Sequence, residues 1–200
     1  MDYLEPIFLI KALGTLGIVA IVFAESGLFF GFFLPGDSLL FTAGLVASQG
    51  YLGLWPLLFG SAIAAILGDS VGYAFGLRVG PKIFTREDSI FFKKAYLEKT
   101  KLFYAKHGKK TVILARFIPI VRTFAPILAG VGGMEYRQFI SYNIIGGIGW
   151  STGMILLGFG LGNTVPNIDR YIIPIILLIV FISMLPGAVE YLRSRRKSEI

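Results

Sequence analysis

The 200-residue sequence has no cysteine and a single histidine, His107, and only 16% of its residues are charged. Without cysteine there are no disulfide staples, thiolate metal sites or thiol nucleophiles, and redox compartment is left undetermined because no thiol needs protecting. No HExxH, GxSxG, P-loop or dinucleotide fingerprint occurs. His107 falls in a basic stretch and reads as a solvated loop residue, so ordinary nucleophilic and zinc catalysis have no candidates. The expectation is a non-enzyme with no cofactor and no metal. Low-complexity stretches and long polar linkers are also missing, which argues for one domain over 1–200. The start, Met1-Asp2-Tyr3-Leu4-Glu5-Pro6, lacks the basic n-region of a signal peptide, so the first apolar segment is expected to be retained.

Hydrophobic residues make up 55% of the chain and mean hydropathy is +0.74, figures of an all-α integral membrane protein. The net charge of +7 is unevenly spread. Ten Lys and Arg residues, Arg78 to Lys110, fall in one stretch, and Arg193, Arg195, Arg196 and Lys197 follow the last apolar run. Both clusters flank membrane segments, so the positive-inside rule accounts for them without a nucleic-acid partner.

About 20 mainly apolar residues cross about 30 Å of hydrocarbon, a length met by 6–24, 51–76, 136–161 and 171–192, giving about four full spans. Residues 27–48 and 111–133 are long enough too, but Pro35-Gly36 breaks the first, and Pro119 and Pro126 interrupt the second, with Ala129-Gly130 beyond them. Proline removes an amide donor and clashes with the preceding turn. Each segment is therefore expected to be a re-entrant pair of half-helices sheltered by protein. With the basic 78–110 stretch and the basic tail cytoplasmic, the 27–48 loop dips in from outside and 111–133 from inside, and both termini are cytoplasmic. Re-entrant loop plus span then occurs twice in opposite orientation, an inverted repeat.

Phe33-Leu34-Pro35 echoes Phe117-Ile118-Pro119, and Ala43-Gly44 echoes Ala129-Gly130. The following spans carry glycine faces, Gly68, Gly72, Gly76 and Gly80 in one and Gly146, Gly149 and Gly153 in the other. Such faces allow close helix packing within one subunit and equally allow a homodimer. Residues 86–107 read as a cytoplasmic amphipathic helix lying among anionic head groups.

Charge inside these broken segments is the main functional signal. A charged residue costs about 2.5–3.5 kcal/mol at the centre of a spanning helix. Arg116 and Arg122 flank Pro119, and planar guanidinium groups match phosphate oxygens bidentately. A broken helix adds exposed amides and a half-helix dipole, which favour an anion. A phosphate-bearing ligand held within the membrane is the expectation; the alternative is that both arginines snorkel or pair structurally with Glu25 and Asp37. A carboxylate in a low-dielectric cavity can take up and release protons, so Glu25 and Asp37 are candidates for proton coupling. Asp37 also suits an N-cap of the second half-helix, and Glu25 a salt-bridge partner. Asp69 is a further intramembrane carboxylate, near Tyr73, free to pair with an arginine. Asn143 and Trp150 read as packing or hydrogen-bonding groups rather than ligands.

Glu25, Phe33-Leu34-Pro35-Gly36-Asp37, Gly68-Asp69 with Tyr73 and Gly76, Phe117-Ile118-Pro119 between Arg116 and Arg122, Ala129-Gly130, Met134, Phe139, Asn143, Gly146 and Trp150 together resemble the bacterial DedA family. This is the bacterial branch of the VTT, or SNARE-associated, membrane proteins, and the resemblance covers roughly 15–165. It implies lipid translocation in the inner membrane. The family is associated with returning undecaprenyl phosphate from the outer to the inner leaflet, and in some members with other phospholipids such as phosphatidylethanolamine. Its essential acidic and arginine pairs fall here on Glu25, Asp37, Arg116 and Arg122. Against this stand a flippase or scramblase for glycerophospholipids, a proton-coupled exporter of small cations, and a lipid phosphatase, the last disfavoured by the missing catalytic histidine.

Overall fold

The computed structural model describes residues 6–28, 36–83, 111–116 and 118–164, and all regular structure among them is helical. The helices are α1 (Pro6–Gly27), α2 (Gly36–Ser48), α3 (Leu54–Ile83), α4 (Pro119–Val131) and α5 (Tyr136–Thr164). A short helical stretch, 111–115, leads towards α4. Pro35, His107, the expected amphipathic helix 86–107 and the expected span 171–192 lie outside the described residues.

Among the described residues two helices are long and apolar enough to cross a membrane, Leu54–Gly80 within α3 and Tyr136–Thr164. Their outward faces carry large apolar side chains, with Trp55 68% and Leu157 64% exposed, while Glu25, Asp69, Arg116, Arg122 and Asn143 are buried. In water this distribution would be inside out; against lipid it puts each class where it costs least.

The first helix departs from the unbroken span read over 6–24. Its backbone leaves helical geometry at Gly14, where φ is 60°, a conformation that a residue without a Cβ adopts readily. What continues, Gly14–Gly27, covers roughly 21 Å at 1.5 Å per residue, short of the hydrocarbon thickness. Pro126 differs as well. Instead of interrupting its segment it lies inside α4, where the fixed φ of proline suits a helix and the cost is one lost amide bond and crowding of the preceding turn. Pro126 packs towards Gly72 of α3, where even an added Cβ would be in ordinary contact at 3.6 Å from the Pro126 Cβ, so the crossing is not crowded at this point.

The real break is at Pro119. Ile118, extended at φ −118° and ψ 109°, precedes it, as the residue before proline must. Gly130 belongs to no break; it is a crossing point. A Cβ on Gly130 would strike the Tyr73 carbonyl and the Leu77 amide of α3, and one on Gly76 would strike the Ile127 carbonyl. The same arrangement recurs where α2 meets α5: a Cβ on Gly44 would strike the Ile155 carbonyl, and one on Gly158 the Phe41 carbonyl. In both crossings the carbonyl sits three positions before the opposing glycine. The Ala43-Gly44 and Ala129-Gly130 echo is thus a shared packing device, and each short helix docks on the long helix that follows the other short helix. Of the second glycine face, a Cβ on Gly149 or Gly153 would meet nothing within 4 Å among the described residues, so these two take no part in the crossings.

Leucine at Gly44 or Gly130 must push two backbones apart. The expected result is a loss of about 3 kcal/mol or more, beyond ordinary overpacking because a backbone cannot rotate away. Thermal stability of the purified variants by circular dichroism checks it.

Candidate functional site

The 111–115 helix tightens into a turn at Arg116, whose amide bonds to the Ile113 carbonyl at 3.2 Å, and the chain restarts as α4 at Pro119. Arg122 therefore sits in the early turns of α4, on the far side of the break from Arg116. The two guanidinium groups go to different partners.

Arg122, 4% exposed, is held by two carboxylates. Its Nη1 donates to Asp37 Oδ1 at 2.8 Å and its Nη2 donates to Glu25 Oε1. Trp150 of α5 completes the cage, with its ring 4.4 Å from the guanidinium carbon and its indole N–H donating to the same Asp37 Oδ1 at 2.7 Å. Glu25, in the last turn of α1, is 1% exposed, whereas the Asp37 side chain is 19% exposed and is the one member reaching a surface. Asp37 lies in the first turn of α2, where its charge is favoured by the helix dipole. It is not the capping residue before the helix, because α2 already begins at Gly36. Gly36 also admits Glu25: a Cβ there would overlap the carboxylate.

Arg116, 2% exposed, is clasped between α3 and α5. Its Nη2 donates to Asp69, to Asn143 Oδ1 and, at 3.3 Å, to the Ala65 carbonyl. Asn143 in turn donates to the Ile66 carbonyl at 3.0 Å. Gly146 and Gly147 make the slot, since a Cβ on Gly146 would come within 2.9 Å of Arg116 Cδ. Asn143, Gly147 and Trp150 follow at helical spacing, so one stripe of α5 touches both arginines. Tyr73 is not part of either cluster. Its hydroxyl donates to the Met134 carbonyl and its ring stacks on Phe139 with centroids 4.7 Å apart.

Together three carboxylates face two guanidinium groups in an apolar interior. The buried Arg122 Nε, Arg116 Nε, Arg116 Nη1 and Thr123 Oγ1 have no hydrogen-bond partner among the described residues. The interior thus has unpaired donors, one more carboxylate than guanidinium groups, and one carboxylate, Asp37, that reaches a surface.

A model of the VTT domain matches residues 34–160, which spans the break, both arginines, Asp37, Asp69 and the α5 stripe. Protein DedA of Escherichia coli strain K12 is 46% identical over 178 residues, 88% of this chain and 81% of that protein. The chain belongs to the DedA family of VTT-domain membrane proteins. It is also similar to Uncharacterized membrane protein Rv0364 of Mycobacterium tuberculosis, 44% identical over 206 residues, covering 98% of this chain and 88% of that one. Inner membrane protein YqjA of E. coli K12 is 30% identical over 171 residues, covering 81% and 77%. No solved structure matches. The resemblance read from the charged and glycine positions is therefore the right family, and a membrane location comes with it.

The structure brings Glu25, Asp37 and Arg122, singled out in the sequence as charges in apolar segments, into one ion-paired cluster. Trp150 and Asn143, read as packing or hydrogen-bonding groups, both hydrogen-bond within the clusters, while the roles of Gly36 and Gly147 as room-makers were not found. Only their spacing from charged residues along a helix could have signalled them.

Proposed function

We propose that this chain is a lipid translocase of the bacterial inner membrane that moves undecaprenyl phosphate from the outer to the inner leaflet, coupled to protons and without chemical change of the lipid. The observation that carries this reading is the Arg122 cage: a buried guanidinium whose one part-exposed partner among the described residues is the carboxylate of Asp37. The phosphate approaches on the Asp37 side and takes that place on Arg122. Arg116, clasped by Asp69 and Asn143, supplies the second positive charge deeper in. Adding an anion to an interior that already holds surplus negative charge calls for protons on Glu25 and Asp37, which ties movement of the lipid to movement of protons. The prenyl tail stays in lipid throughout.

Charge distribution supports an orientation with both termini and the basic 78–110 stretch cytoplasmic, the latter against anionic head groups. Purified protein in vesicles holding equal amounts of undecaprenyl phosphate and phosphatidylethanolamine is expected to move the former faster, to slow when the proton gradient is collapsed, and to release no inorganic phosphate. Equal rates for both lipids would make it a general phospholipid scramblase instead.

A further inference from the structure

Two donors converge on one oxygen in the cage. Arg122 Nη1 reaches Asp37 Oδ1 at 2.8 Å and Trp150 Nε1 reaches it at 2.7 Å. That oxygen stands where an anionic ligand's oxygen would have to stand to use Arg122 from the exposed side, because Glu25 closes the other side and is 1% exposed. An indole N–H donates and cannot accept, so once Asp37 is displaced it requires another acceptor or is left unpaired in an apolar interior. We infer that Trp150 is a ligand-contacting residue: when a phosphate monoester takes the place of Asp37 on Arg122, the Trp150 N–H passes from the carboxylate to a phosphate oxygen. This rests on the reading of Arg122 as a phosphate site.

The geometry suits the role. The ring covers the guanidinium at 4.4 Å while its N–H reaches the same carboxylate oxygen as Arg122 Nη1, so Trp150 braces Arg122 and adds a further donor beside the fork. Arg122 Nε, buried and without a partner among the described residues, is a further donor on the same guanidinium. A phosphate monoester, with three terminal oxygens, can take more of these donors than a carboxylate or a phosphodiester can. Trp150 would therefore favour monoester head groups.

The sequence contains two tryptophans, so protein labelled with 15N at the indole nitrogen gives two resolvable signals. Titration with dodecyl phosphate in maltoside micelles is expected to shift the Trp150 signal while it keeps the downfield position of a hydrogen-bonded indole; Trp55, 68% exposed, should stay put. Trp150→Phe retains a ring over Arg122 but should bind dodecyl phosphate about tenfold more weakly or worse, the loss of one charge-assisted hydrogen bond. An upfield move of Trp150 on binding, equal movement of Trp55, or unchanged affinity in Trp150→Phe would overturn the inference while leaving the Arg122 site standing. Failure of the unaltered protein to bind dodecyl phosphate at all would remove both.

Discussion

Replacing Arg122 with alanine is expected to destabilise the fold by about 3–5 kcal/mol, because it strands two carboxylates in an apolar interior. Glu25 is the worse off. It is buried on α1 against the Gly36 backbone and has Arg122 as its ion-pair partner. Arg122→Lys should recover little, since an ammonium cannot donate along two directions of a planar fork to Asp37 and Glu25 while stacking beneath an indole. Neutralising the whole cage is different. In Glu25→Gln/Asp37→Asn/Arg122→Gln no charge is left stranded within the cage, and most of the lost stability should return. Denaturation by sodium dodecyl sulfate followed by circular dichroism measures all three. If the alanine variant were as stable as the unaltered chain, the cage would have to be hydrated and its charges free.

The second large effect is expected at the other cluster. Asp69→Ala leaves Arg116 buried with only amide and carbonyl acceptors, and Arg116→Ala leaves Asp69 buried with no cation, so each alone should cost about 3–5 kcal/mol. Removing both at once should cost less than the two added together, with a coupling of about 2–3 kcal/mol, at the upper end of what contacting pairs show. Asn143→Leu should cost about 1–3 kcal/mol through the stranded hydrogen bonds. A coupling near zero would mean that Asp69 and Arg116 are solvated independently rather than paired. The double variant also bears on function. Should it fold and still move lipid, Arg116 is a clasp; loss of movement in a folded double variant supports its role as a second charge for the phosphate.

Much of this was legible in the sequence because charge and proline are rare in apolar segments and costly there. Arg116, Arg122, Glu25, Asp37 and Asp69 stand out for that reason alone, and Pro119 marks the break that separates the two arginines. The glycine echo at Gly44 and Gly130 also carried through to matched helix crossings. The pairing was not legible. Which carboxylate meets which arginine depends on how α1, α2, α3 and α4 come together, and spacing along one segment says nothing of that.

The misreadings share a physical origin. Both faces of α5 are largely apolar, so periodicity does not reveal which one points inward, and Trp150, read as a packing or hydrogen-bonding group, gave no sign of which partner it meets. Glycine is ambiguous in the same way. Gly14 turned out to be a kink, Gly130 a crossing point and Gly36 a space for a carboxylate, three uses of a missing Cβ that the sequence does not distinguish. Pro126 misled because proline in a helix is penalised but not forbidden, and packing of the helix can outweigh one lost amide bond.

The most direct test compares two proteins in sealed vesicles carrying undecaprenyl phosphate in one leaflet: the unaltered chain and the charge-neutral Glu25→Gln/Asp37→Asn/Arg122→Gln variant. The expected result is movement of the lipid by the first and none by the second, although both are folded. Movement at the same rate by the neutral variant, or no movement by the unaltered chain, would contradict the assignment of Arg122 and its cage as the site that carries the phosphate across.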